Sequence, residues 1–299
     1  MMAKVKERND QPLTMEEIEK QSNVKEFFKR LGRNKLAVTG GIIFLVVCLL
    51  AILAPVIAPY DYMTMDLLNK NAPPSAAHLF GTDQYGRDIL SRLLYGGRWS
   101  LTLGLGASLI STVGCIVVGS IAGYFGGWVD NLVMRICDVF QCIPGILLTV
   151  CMCTLMGPGL VNTMIAMSFG GIWGGARMLR GQILTVRNQE YVEAARATNN
   201  SNFRTIVKYI LPNSIQPTII GMCMGVGGNI MAASGLSFLG LGIQPPLPEW
   251  GAMLNDGRNV IRYFPNQLIG PMIVISAVVL SVSIFGDGLR DAIDPRMNE

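Results

Sequence analysis

Polar and apolar positions along this chain fall into long blocks. Five stretches lack Asp, Glu, Lys and Arg altogether: Leu36–Tyr60, Trp99–Val129, Val139–Ala176, Tyr209–Pro248 and Tyr263–Gly286. A helix needs about 20 mainly apolar residues to cross the hydrocarbon core of a bilayer, so each stretch is long enough. The third is too long for one crossing. It carries Gly157-Pro158-Gly159 near its middle, a helix-breaking turn that divides it in two. The fourth begins inside an amphipathic segment and ends in Pro245-Pro246-Leu247-Pro248, leaving one helix around Ser214–Leu239. The pattern predicts an all-α membrane protein with six transmembrane helices. A polar segment of 35 residues precedes the first run, and that run is too long for a secretory signal.

Composition points the same way. Hydrophobic residues make up 51% of the chain, charged residues only 15%, and the mean hydropathy is +0.42. Soluble domains carry about 25% charge. A soluble enzyme, a disordered chain and a nucleic-acid binder are excluded on that ground, and a net charge of +4 is too small to suggest a polyanion partner. The placement of the charges is more informative. With the N-terminus inside, the inner segments (1–35, the loop near 123–138, 177–208 and 287–299) hold 18 of the 24 Lys and Arg residues, and the outer segments 61–98 and 249–262 hold six. Positive charge favours the cytoplasmic side, so both termini are expected there.

Catalytic chemistry is sparse. His78 has no second histidine to complete an HExxH or similar metal site. There is no GxSxG elbow, and Gly-Lys never occurs, so there is no phosphate-binding loop of the Walker A kind. The seven cysteines (Cys48, Cys115, Cys137, Cys142, Cys151, Cys153 and Cys223) lie in or beside apolar runs, form no CxxC pair and read as small packing residues. Asp130, Arg135 and Asp138 cluster at the inner mouth of the third span, as an interfacial charge cluster or a gate contact. Cys115, Gly119, Gly123 and Gly127 recur every four residues, a column of small side chains that lets another helix approach. Gly170 with Gly174, Gly171 with Gly175, and Gly221 with Gly225 repeat the spacing.

The longest internal cytoplasmic segment, Arg187–Asn213, parses into two short helices. Asn188 is placed to cap the first, with Glu190 in its first turn. Tyr191, Ala194, Ala195 and Thr198 then share a face. Asn199-Asn200 stops that helix, and Asn199 is expected in the left-handed conformation that asparagine tolerates. Ser201 caps the second, whose apolar stripe is Phe203, Ile206, Val207, Ile210 and Leu211. Pro212 ends it. Such a pair suits either docking of a soluble partner or the lipid surface. In the outer loop, Thr82 or Asp83 is placed to cap a helix and Asp88 to pair with Arg92 at i+4, making 83–96 an ordered element that braces the loop or meets a delivered protein.

The residues Glu193-Ala194-Ala195, Asn199 and Leu211-Pro212 resemble the EAA loop of permease subunits in bacterial ABC importers. Asn199 stands where that pattern has Gly, and Tyr209 where it often has Ile. Further segments are similar to dipeptide/oligopeptide permeases of the DppC/OppC type: Phe27–Lys35; His78–Asp88, containing Gly81, Thr82, Asp83, Gly86, Arg87 and Asp88, with Arg92 beyond it; Gly123–Gly127; Leu236–Gly242; Trp250-Gly251; and Phe285–Asp291 with Asp294-Pro295. The resemblance runs in order from about residue 27 to the C-terminus.

It implies a type I ABC importer permease (MetI-like) fold in a bacterial cell membrane. The implied organisation is a cytoplasmic N-terminal segment at 1–35 with an interfacial helix, a first transmembrane helix at 36–60, an extracytoplasmic loop at 61–98, a five-helix permease domain at 99–287 with its EAA loop at 188–212, and a cytoplasmic tail at 288–299. The implied partners are a second homologous permease, one or two cytoplasmic ABC ATPase subunits and an extracytoplasmic substrate-binding protein, with no nucleic acid. ATP and Mg would belong to the ATPases, leaving no cofactor and no catalysis in this chain. The cargo would be dipeptides or oligopeptides; nickel, glutathione and metal–chelator complexes are alternatives. A stand-alone six-span channel is the rival from another class, and it would need no docking loop.

Overall fold

The computed structural model describes residue 27 and residues 29–293; Phe28, the segment 1–26 and the tail with Asp294 and Pro295 lie outside the described residues. Among the described residues the chain is helical, and its one strand-like feature is an isolated bridge between Thr82 and Asp88. The main helices are α1 (Lys35–Ile52), α2 (Ile89–Phe125), α3 (Gly127–Gln141), α4 (Gly145–Met156), α5 (Leu160–Val186), α6 (Glu190–Ala197), α7 (Gln216–Phe238), α8 (Trp250–Val260) and α9 (Asn266–Ile293).

By length and apolarity α1, α2, α7 and α9 are each able to cross a membrane. The third predicted span does not form as one straight helix. It is divided between α3 and α4, which meet at 87° across Cys142–Pro144 and make a fifth crossing only if the bent pair is taken as one. The segment near 123–138, expected as a loop, is therefore largely helix. Gly126 at φ +64° ends α2, and α3 starts at once on an amphipathic register that a search for charge-free runs passes over. The remaining expected crossing is α5, which has 27 residues but whose Asn162, glycines and arginines dilute its apolar character.

α1 is capped by Asn34, whose Oδ1 accepts from the Ala37 N–H at 3.1 Å. It buries Ala37, Gly40 and Ala51 and leaves Ile42, Leu45 and Leu49 exposed, as a lipid-facing helix should. Gly40 rests on the backbone of α9, where a Cβ would stand 2.6 Å from the Ser281 carbonyl oxygen. α2, with 37 residues, is roughly 55 Å long and exceeds the bilayer core of about 30 Å, so part of it extends beyond that core.

The buried side chains form three groups that follow α2 from one end to the other. Ile89 and Leu93 gather Ile230, Trp250 and Val278; Leu103 and Ala107 gather Ala166, Met167 and Leu236; Tyr124 gathers Leu179, Ile183, Val192 and Ile210. The last group ties the segment 188–212 to α2 and α5.

Candidate functional site

The segment 188–212 is built from its buried side outward. Val192 is fully buried and Ala195 nearly so, both on the inner face of α6, and Ile210 is fully buried beneath the element that follows. The residues expected to share a face therefore divide: Ala195 points inward, while Tyr191, Glu193, Ala194 and Thr198 are exposed. α6 starts at Gln189, with no side-chain cap, rather than at Asn188. It ends at Thr198, and Asn199 follows at φ +59°, in the left-handed conformation expected of it. Asn200 then closes the turn, its amide donating to the Ala195 carbonyl at 2.9 Å.

Ser201 caps the next turn, Asn202–Thr205, by accepting from Arg204 N–H. That turn widens into a π-helical stretch, Ile206–Ile210, before Leu211–Ser214 leads into α7. Pro212 lies at this break because it has no N–H for the carbonyl of Lys208. The side chain of Asn213 takes the Tyr209 carbonyl at 2.7 Å. The widening splits the predicted apolar stripe. Ile206, Ile210 and Leu211 join the core, whereas Phe203 is 76% and Val207 47% exposed. Tyr124 on α2 anchors the whole element, donating from its hydroxyl to Asn202 Oδ1 at 2.9 Å while Arg196 stacks over its ring.

At the other end of α2 the motif 78–92 folds into a buried cluster. Asp83 is its centre. One carboxylate oxygen accepts from the N–H groups of Tyr85 and Arg87 at 2.8 and 3.0 Å, and the other meets Arg87 Nε at 2.6 Å and Arg92 Nη1 at 3.2 Å. Asp88, not Thr82 or Asp83, caps α2; it accepts from Ser91 N–H at 2.8 Å and Ser91 Oγ at 2.7 Å and lies 2.9 Å from His78 Nδ1. The expected Asp88–Arg92 pair is thus replaced by His78–Asp88 and Asp83–Arg92, and helix begins only at Ile89. Thr82 is fully buried, its hydroxyl donating to the Asn69 carbonyl and accepting from Ala72 N–H at 2.8 Å. Gly81 and Gly86 have φ of +77° and +73°, and a Cβ on Gly86 would overlap the Asp66 backbone. Gln267 at the start of α9 reaches over to the Thr82 carbonyl at 3.2 Å and Asn71 Oδ1 at 2.8 Å. Asp256 on α8 faces the same cluster, and burial pushes its carboxyl above the usual range despite the nearby arginines.

Between these ends, the glycine column works at two of its positions. A Cβ on Gly119 would come within 2.8 Å of the Ala176 carbonyl oxygen, and one on Gly123 within 2.8 Å of Ile183 Cβ, so both let α5 close onto α2. Gly127 has no neighbour within 4 Å and starts α3 at φ +56°; it is not part of the column. Asp130 and Asp138 are joined to α5 by ion pairs with Arg180 and Arg177, and Arg135 lies 3.5 Å from Asp138.

Two features escape the sequence reading. Glu249 is fully buried and caps α8, accepting from Ala252 N–H at 2.9 Å and Ser100 Oγ at 3.0 Å, while Trp250 Nε1 donates to the Leu93 carbonyl. An acidic residue directly before an amphipathic helix was the available signal. The second is a groove of about 270 Å³ between α2, α5 and α7 whose polar lining includes Ser108, Thr218 and Asn229; polar residues inside otherwise apolar runs were its sign.

Residues 115–299 match the family described as the binding-protein-dependent transport system inner membrane component, and residues 22–74 match the N-terminal TM domain of oligopeptide transport permease C. The dipeptide transport system permease protein DppC of Alkalihalophilus pseudofirmus is 42% identical over 91% of this chain and 90% of its own length. The DppC protein of Bacillus subtilis is 40% identical over 92% and 87%. The glutathione transport system permease protein GsiD of Pectobacterium atrosepticum is 40% identical over 91% of both chains. The fold matches a chain of the MetNI methionine ABC transporter in an inward-facing conformation, with a TM-score of 0.56 at 17% identity over 69% of this chain and 98% of that one. A helical membrane chain with these matches along nearly its whole length belongs to the family of binding-protein-dependent transport system inner membrane components.

Proposed function

We propose that this chain is one of two homologous permease subunits of an ABC importer for short peptides, driven by ATP that separate cytoplasmic subunits hydrolyse. The observation that carries the reading is the cytoplasmic segment 188–212. Val192, Ala195 and Ile210 lock it to α2 and α5, and the same segment presents Tyr191, Phe203 and Val207 outward. Apolar side chains held out on a rigid base are suited to a soluble partner, and the buried base passes that partner's movement to the spans. The two ATPase states must then favour different arrangements of the docked segment. The charge bias supports cytoplasmic termini and an outer surface at 61–98 that receives a substrate-binding protein. ATP and Mg sit in the partner subunits.

The peptide cargo rests on the identity to dipeptide permeases across nine-tenths of the chain. Glutathione, itself a tripeptide, is the second reading, on the strength of the glutathione permease relatives. In cells lacking this gene, uptake of a labelled dipeptide is expected to fall at least tenfold and to return with the gene but not with Phe203→Ser, whose product still reaches the membrane. Loss of glutathione uptake with dipeptide uptake intact would assign the other cargo. Full uptake with Phe203→Ser would remove Phe203 from the docking surface.

A further inference from the structure

The groove between α2, α5 and α7 is polar where its surroundings are not. Ser108, Ser111 and Thr112 line it from α2, and Thr218 and Asn229 from α7, with no Asp, Glu, Lys or Arg among its walls. From the level of Ser108 to that of Cys115 it follows α2 for roughly 10 Å, mid-way along the helix. Asn229 donates one amide N–H to Ser108 Oγ at 2.8 Å; among the described residues its carbonyl oxygen has no donor. Thr218 is 4% exposed, and its hydroxyl lies beside the Cys115 thiol without a hydrogen-bond partner of ordinary geometry. Hydrocarbon offers the half-buried Asn229 carbonyl oxygen no compensation, so it faces a polar occupant or water rather than lipid.

Of the four glycines along the groove, Gly171 and Gly175 let α5 close on α2, a Cβ there standing 2.5 Å from Ser111 Oγ and 2.9 Å from Cys115 Sγ, whereas Gly221 and Gly225 on α7 act differently. A Cβ on Gly221 would meet only Met178 Cε at 3.9 Å, and one on Gly225 only Ser108 Oγ at 3.6 Å. Neither position is needed for two helices to touch, so the small residues keep space open. Uncharged donors and acceptors along an open wall match the N–H and C=O groups of a peptide backbone and hold no fixed charge to trap its termini.

We propose that this groove is the chain's share of the translocation pathway, with Asn229, Ser108 and Thr218 exchanging hydrogen bonds with the amide groups of the passing peptide. The proposal rests on the peptide-permease reading above and adds the contact residues. Because the wall is neutral, it passes acidic and basic peptides with little preference of its own.

The complete transporter, reconstituted in proteoliposomes with its binding protein and ATPases, provides the test. Gly225→Cys should react with a small charged methanethiosulfonate reagent, located by mass spectrometry, and reaction should slow at least threefold during dipeptide transport; Gly221→Cys repeats the measurement should the first variant assemble poorly. A thiol at either position unreactive in every state would place the groove against lipid or protein and overturn the proposal. Asn229→Asp should raise the ratio of basic to acidic dipeptide uptake at least fivefold. An unchanged ratio would overturn the contact role, because a merely structural residue alters rates for all peptides alike. A wild-type transporter that imports no peptide would refute the cargo reading, and the thiol reaction would still decide the groove.

Discussion

At the N-terminal end of α2, the motif residues Thr82, Asp83, Arg87, Asp88 and Arg92 are all buried; Asp83 joins Arg87 and Arg92, while Thr82 and Asp88 bond to Asn69, Ala72, His78 and Ser91 around them. Beside its C-terminal end, Tyr191, Glu193, Ala194 and Phe203 stand exposed, and the burial is done by residues between them, Val192 and Ala195. Two segments with equally distinct sequence patterns therefore use them in opposite ways. The first pattern specifies a buried lock that α9 completes. The second specifies a surface, with only enough burial to hold it rigid. Substitution in the first should cost stability, and substitution in the second should cost coupling.

The sharpest way to break this contrast is Asp83→Ala. It leaves the Arg87 and Arg92 guanidiniums buried without their carboxylate and should destabilise the purified protein by about 3–5 kcal/mol. A thermal midpoint in detergent equal to that of the parent would show that the lock is not there. Gly86→Ala comes next. Positive φ alone disfavours alanine by about 1–3 kcal/mol, and overlap with Asp66 adds to it, so protease cleavage within 60–88 should accelerate. On the inner side, Asn199→Val should cost the turn about 1–2 kcal/mol while Asn199→Gly costs nothing, since only the former opposes φ +59°. The thermal midpoint should barely move. Assembly with the ATPases and ATP-driven uptake should drop for Val alone, and equal activity of the two variants would contradict this assignment.

The smallest effect has the opposite sign. Burial raises the Asp256 carboxyl, so the folded state binds its proton more tightly than the unfolded chain does. The ionised form therefore costs stability, a cost that appears as pH rises from the ordinary carboxylate range through the folded pKa and is complete above it. Asp256→Asn should stabilise slightly at pH 7, within about 0.5 kcal/mol, and the gain should vanish under acid conditions. Destabilisation at pH 7 would mean that its attraction to Arg92 outweighs its burial.

Much of the fold was legible because lipid imposes one rule on every crossing, and charge-free runs record it. α1, α2, α7 and α9 follow from them closely. The bend between α3 and α4 does not, because α3 carries Asp130, Arg135 and Asp138 and its partners, Arg177 and Arg180, lie some 40–50 residues away. The outer pairs failed for the same reason. Spacing at i+4 joined Asp88 to Arg92, but folding brings His78 to Asp88 and leaves Arg92 for Asp83. The Asn199 turn was legible because its cause is local, a steric preference of one residue. Which side of α6 would be buried was not, because that depends on where Tyr124 and Ile183 sit.

The hydrogen bonds from Gln267 to Asn71 and to the Thr82 carbonyl join residues 196 and 185 positions apart. The same helix end also sends the Asn266 amide to the Phe80 carbonyl at 3.0 Å. During synthesis, the outer segment emerges long before its last partners exist. At about 5–20 residues per second, the ribosome needs roughly ten to forty seconds to supply them. The lock on the segment between the first two long helices is therefore among the last pieces of the molecule to close, and it closes only when the final helix has been made. A nascent chain halted before Asn266 should expose residues 60–88 to protease, and the completed chain should shield them, making that segment a built-in report of finished insertion.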